Sequence, residues 1–216
     1  MHHIITSEPI SDYAENFSKK ESQTLFELNQ QTQLMPGAQM ISGHLQGVFL
    51  EMISCMIQPR NILEIGTYTG YSAICLAKGL KPDGKVHTID RDRSIQGIRD
   101  DYWEKAGLDK VIQQHLGDAA IILQSLKEIP FDLIFIDADK GNYGLYYDLL
   151  IETVPSGTIF LADNVLFHGE VILPEDQQSK SAKAIHQFNK KIAEDKRVEQ
   201  VLLPIRDGVS IIRKIA

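Results

Sequence analysis

The sequence predicts an α/β chain: a doubly wound, mostly parallel sheet of seven strands, its last strand antiparallel, preceded by N-terminal helices. Two observations carry this expectation. From residue 61 onward, short apolar runs alternate with segments of helical period, the rhythm of strand–helix–strand crossovers. The chain then closes with two apolar runs parted by Arg206 and Asp207, which read as strands joined by a tight turn.

Element by element, Asp12 with Glu15 suits a capping box, so a first helix is expected to run to about Gln33. Pro36 and Gly37 break the pattern. Leu45, Val48, Phe49, Met52, Ile53 and Met56 recur at helical spacing up to Pro59, a stripe expected to pack in the core. "NILEIG" is the first strand and "YSAICLAKGL" its helix. "KVHTID" is the second strand, followed by a helix near 93–106 that stops at Gly107. "VIQQHLGD" is the third, with a helix through Leu126, and "FDLIFID" the fourth, with a helix near 145–151. Tyr143 and Tyr147 share a face there and read as packing or subunit contacts. "GTIFLADN" is the fifth strand, and a late helix sets Ile185, Phe188 and Ile192 on one face. "VEQVLLPI" and "GVSIIRKI" are the closing pair.

The 216 residues suit a single domain, 1–216, with 1–40 as a helical cover segment. A formal net charge of -7 counts against nucleic acid or an anionic membrane as partner. No apolar run approaches the roughly 20 residues that span a bilayer, and "MHHIITSEPI" lacks the regions of a signal peptide, so a cytoplasmic chain is expected. His2 and His3 are assigned no function. Cys55 and Cys75 sit in apolar helical patterns and are expected as buried thiols.

In doubly wound sheets ligands bind outside the carboxyl ends of the strands. Here Glu64, Asp90, Asp118, Asp137 and Asp163 end five successive strands, which suggests a site built for something cationic. "LEIGTYTGYS" (63–72) places a glycine turn after the first strand, but Tyr68 stands where a dinucleotide fingerprint has its second glycine. That favours a ligand without phosphates. S-adenosylmethionine fits: Glu64 for its ammonium, the helix start near Ser72 for its carboxylate, Asp90 for both ribose hydroxyls. Asp118 and Ala119 are placed for adenine, or Asp118 is a plain helix cap. Asp137, Asp163 and Asn164 form a hard oxygen set for Mg²⁺, Mn²⁺ or Ca²⁺, provided the chain turns between 163 and 164. Asp139 goes to the cofactor side, and Asp137 stands close enough to serve both ligands.

"LEIGTYTGYS", "IDADKGNY" and "ADN" resemble the metal-dependent class I O-methyltransferases of the caffeoyl-CoA and catechol type, especially bacterial members. The resemblance runs from "QMISGHLQG" at Gln39 through "LLPIRDGV" and implies a Rossmann-like sheet and a homodimer. By position it puts Met40, Ser42, Glu64, Gly66, Thr67, Ser72, Asp90, Ala119 and Asp139 on the cofactor, and Asp137, Asp163 and Asn164 on the metal. The implied reaction methylates one oxygen of a metal-chelated vicinal diphenol, a small phenolic acceptor. Lys140 falls on the family's lysine beyond the first metal aspartate, taking the proton or steadying the oxyanion; its other reading is a salt bridge to Asp137 or Asp139. Phe167, His168 and Gly141 depart from the plant members, so the acceptor does not transfer, and His168 is a substrate contact or a loop residue without one. Two rivals stand beside this reading. One is hydroxyuridine in tRNA, with Arg60, Arg91 and Arg93 for phosphates; the other is a nicotinamide- or nucleotide-binding protein.

Overall fold

A computed structural model describes residues 7–216; the first six, His2 and His3 among them, lie outside the described residues. The strands are β1 (Asn61–Ile65), β2 (Lys85–Asp90), β3 (Ile112–Leu116), β4 (Leu133–Ile136), β5 (Ile159–Asp163), β6 (Val198–Leu203) and β7 (Val209–Lys214). They form one sheet in the order β3-β2-β1-β4-β5-β7-β6. β1 to β5 pair in parallel, and β7 inserts antiparallel between β5 and β6. The helices are α1 (Glu8–Asn16), α2 (Gln23–Gln33), α3 (Gly43–Ile57), α4 (Tyr71–Ala77), α5 (Gln96–Lys105), α6 (Ala119–Leu126), α7 (Tyr143–Ile151) and α8 (Lys180–Glu194).

β4 shows why the sheet must be covered twice. Leu133, Ile134, Phe135 and Ile136 are all fully buried. Side chains alternate across a strand, so Ile134 and Ile136 enter a core with Leu123, Tyr147 and Phe188 of α6, α7 and α8. Leu133 and Phe135 enter the opposite core with Leu28, Leu50, Ile74 and Trp103 of α2 to α5. The strand order reverses between β1 and β4, which opens a crevice at their carboxyl ends. Gly66 lies in that crevice. Its φ is +99°, and a Cβ there would come 1.9 Å from the Asp137 carbonyl oxygen, so only glycine lets the two strand ends meet.

The N-terminal third corrects four expectations. The first helix is two helices: the Ser22 hydroxyl caps α2 through Leu25 N, and Asp12 and Glu15 lie inside α1 without forming its start. The α3 stripe faces inward only in part: Phe49 and Ile53 pack half-buried against the core, and the methionines do not. Met52 is 51% exposed and Met56 67%, while Gly47, Leu50 and Ser54 are buried. Packing explains this: a Cβ on Gly47 would come 2.7 Å from the Tyr71 ring, so α3 approaches α4 on its small residues. Cys55 lies on the outer face and is exposed; Cys75 is buried. Residues 38–57 have the length and mean hydropathy, 1.3, of a membrane-crossing helix, which the sequence reading missed. They are broken at Ile41, which is extended. The remaining α3 of 15 residues spans about 22 Å, short of the ~30 Å hydrocarbon layer.

Candidate active site

A cleft of about 580 Å³ opens at the carboxyl ends of β1, β2, β4 and β5, roofed by residues 39–42 and walled on one side by the β6–β7 turn. Met40, Ser42, Gly66, Thr67, Tyr68, Ser72, Asp90, Ala119, Asp137, Asp139, Lys140, Asp163, Asn164 and His168 all line it. Asp118 does not. Its carboxylate accepts from Ala120 N at 2.9 Å as the cap of α6, its other oxygen pairs with Arg91, and its neighbours Gly117 and Ala119 reach the cleft instead.

Glu64 lies beneath the glycine turn, fully buried, with its Oε2 accepting from the Thr88 hydroxyl. Burial pushes its pKa up to about 7, opposed by the Ser72 and Thr88 hydroxyls and reinforced by Asp137 and Asp90. A carboxyl whose pKa is raised on folding holds its proton more tightly in the folded state. Its contribution is therefore full below about 4.5 and is lost as pH rises through about 7. The expected result is that ligand-free Glu64→Gln protein gains unfolding free energy over wild type between pH 5 and pH 8, the difference growing to roughly 3 kcal/mol, read by denaturant unfolding at each pH. A pH-independent difference would mean the carboxyl is not perturbed.

Asp90 is placed differently from the sequence reading, which left both oxygens to the ribose. Oδ2 accepts from Thr67 N at 3.0 Å and Tyr68 N at 2.8 Å, and Oδ1 accepts from Asp92 N at 2.8 Å. Arg99 completes the arrangement: fully buried, it sets Nη2 3.0 Å from Asp90 Oδ2, donates through Nε to the Tyr68 carbonyl, and through Nη1 to Asp92 O at 2.9 Å. Asp90 thus fixes the turn, and a ribose must share it. Sequence reasoning missed Arg99, although a signal existed: it shares a helical face with Tyr102 and Trp103, an apolar stripe where an arginine needs partners.

Asn164 has a φ of +56°, so the chain does turn after Asp163, and the two side chains meet in the cleft. Lys140 Nζ sits among the proposed metal ligands, 2.9 Å from Asp137 Oδ1 and 2.7 Å from Asn164 Oδ1, and donates to the Tyr143 hydroxyl at 2.7 Å. A cation therefore already bridges two of the three oxygens. Asp163 is 2% exposed, and its Oδ1 makes no hydrogen bond. Gln46 Nε2, equally unpaired, stands beside it, near enough to oppose the rise in pKa that burial and Asp137 impose. An orphaned buried carboxylate oxygen next to an ammonium-bridged pair fits a hard divalent ion. Among the described residues no three of His, Cys, Asp and Glu are grouped as metal ligands, so the set is two carboxylates and an amide. Tyr143 is fully buried and donates to the Asp163 carbonyl at 3.0 Å, so it is a support of this site and not a subunit contact.

On the far wall Phe167 and His168 occupy left-handed backbone, φ +43° and +55°, held by the His168 N–H to Asp207 Oδ1. Asp139, on the near wall, accepts from the Tyr146 hydroxyl at 2.6 Å.

A family model described as O-methyltransferase matches residues 15–215. Caffeoyl-CoA O-methyltransferase 5 from Nicotiana tabacum is 34% identical over 206 residues, 91% of this chain and 86% of its own length. The O-methyltransferase from Bacillus cereus, solved in complex with SAH, is 32% identical with a TM-score of 0.85, over 95% of this chain and 97% of that one. The SAH-bound methyltransferase PaMTH1 from Podospora anserina is 28% identical with a TM-score of 0.88, over 97% and 95%.

Proposed function

Because this chain belongs to the O-methyltransferase family, we propose that it moves a methyl group from S-adenosylmethionine to one hydroxyl of a vicinal diphenol held on a divalent cation. The observation that carries the acceptor half is the convergence of Asp137, Asp163 and Asn164 on one wall of the cleft, with Asp163 Oδ1 unpaired. Relatives named for caffeoyl-CoA support the phenolic class.

A phenol has a pKa of about 10 and is a poor nucleophile at neutral pH. The cation, when bound, lowers that pKa and fixes the oxygen in place. The protein residues do the rest. Asp137, Asp163 and Asn164 would hold the cation, and Lys140 would keep a positive charge beside the acceptor oxygen. The turn fixed by Asp90 and Arg99 holds the donor's nucleoside, while Glu64 supplies negative charge under its ammonium. Met40 and Phe167 close the apolar rim. Excluding water helps because a phenolate and a sulfonium cancel charge on the way to products, so the transition state is less polar than the reactants.

The test is a methyl-transfer assay with catechol and with phenol, with and without Mg²⁺. Transfer to catechol alone, and only with metal, is expected; equal transfer to phenol without metal overturns the diphenol reading. The relatives' names do not favour the tRNA reading, and a tRNA gel shift run alongside distinguishes it.

A further inference from the structure

The β6–β7 turn carries an arginine in two unfavourable settings. Arg206 has a φ of +51°, a conformation that suits glycine. Its guanidinium donates to the carbonyls of Ile41 and Ser42 and to Gln46 Oε1, at the very start of α3. A helix N-terminus carries partial positive charge, so a cation there is opposed by the helix itself. Strain and opposed charge concentrated beside a ligand cleft are features kept for a task.

The geometry shows the task. Residues 36–42 lie across the cleft, and Met40 and Ser42 line it. The segment is pinned at two points: the Tyr68 hydroxyl donates to Pro36 O at 3.2 Å, and Arg206 grips its other end. The grip spans 160 or more residues of sequence, |i−j| of 164 to Ser42 and 160 to Gln46, and no secondary structure supplies it. Asp163, the acceptor-side carboxylate, stands close enough to offset part of the misplaced charge. We propose that Arg206 is a positioning residue that straps the 36–42 segment over the methyl donor and so governs how long the donor and its spent form stay bound. This rests on the reading of the cleft as an S-adenosylmethionine site.

Arg206→Gly removes the strap and gives the turn the residue its φ favours, but it leaves the buried Gln46 Oε1 without its donor, so the melting temperature is measured alongside to show that the variant is folded. The measurements are SAH dissociation by stopped flow, KM for S-adenosylmethionine against kcat, and hydrogen exchange across residues 37–46. Dissociation is expected to be about 10- to 100-fold faster, from loss of charge-assisted hydrogen bonds. KM should rise by more than kcat falls, and exchange should quicken in 37–46 but not in β1 or β4. Arg206→Lys should recover part of the effect, since an ammonium restores the charge but not the fork. Wild-type protein that binds no SAH would overturn the cofactor reading itself. Wild type that binds SAH, with Arg206→Gly releasing it within about twofold of the same rate, would overturn the strap alone.

Discussion

Asp163→Ala is expected to lower methyl transfer to catechol by roughly 10²–10³-fold while SAH affinity stays within about threefold of wild type. The split follows from position. Asp163 ends β5, one strand beyond β4 and two beyond β1, whose turn frames the donor. Its cation should therefore address the acceptor. Stability gives an internal control. Burial and Asp137 raise the Asp163 pKa, so an ionised Asp163 is a cost to the ligand-free fold at neutral pH. Alanine removes that cost, and the melting temperature should hold or rise in the absence of metal. Added Mg²⁺ should raise the melting temperature of wild type and not of the variant. A folded Asp163→Ala protein that methylates catechol at the wild-type rate in the presence of chelator would show the metal reading to be wrong.

Arg99→Met should act on the other half of the site and on the fold together. Removing one partner of a buried ion pair typically costs 3–5 kcal/mol, because the other charge is left uncompensated. Asp90 is 16% exposed and keeps three backbone N–H donors, so about 3 kcal/mol is the better expectation. For a chain of this size that corresponds to a fall in melting temperature of roughly 6–12 °C. SAH affinity should drop by about tenfold or more, because Tyr68 O and Asp92 O also lose their donor. Lysine should not rescue, since one ammonium cannot serve three acceptors spread around a planar fork. Unchanged melting and unchanged affinity would make Arg99 an incidental passenger of α5.

What was legible in the sequence follows from which signals are local. Strand and helix periods are local, so the alternation from residue 61 gave the sheet and its closing hairpin. Strand ends were legible in part: β2, β4 and β5 deliver Asp90, Asp137 and Asp163 to one cleft, while Glu64 of β1 stays buried beneath the turn and does not line it. The turn required between Asp163 and Asn164 is present as a left-handed asparagine. Partnership is not local. Nothing near Asp90 announces that its oxygens are shared with the turn and with Arg99. Nothing in α3 says that its small residues face inward and its methionines outward, because that depends on how closely α4 approaches. Of the two roles the sequence leaves open for Asp118, its carboxylate takes that of the α6 cap. The break between α1 and α2 was not legible because the Ser22 cap competed with an equally good acid pair, Asp12 and Glu15, that lies inside α1.

The insertion of β7 between β5 and β6 has a consequence for biosynthesis. Until residues 198–214 have left the ribosome, β5 has one edge with no strand beside it, and the 36–42 segment has lost the pin that comes from residue 206. The nascent chain can build the parallel half of its sheet before the last hairpin, since all five of its strands, the β1–β4 pair included, lie within residues 61–163. The cleft cannot close before the β6–β7 hairpin threads in, and that step joins residues 36–42 to residues synthesised more than 150 positions later. Contacts of such long sequence separation form slowly. During that interval the open β5 edge is a template for other strands, so crowded or overloaded synthesis should lose this protein to aggregation at that stage.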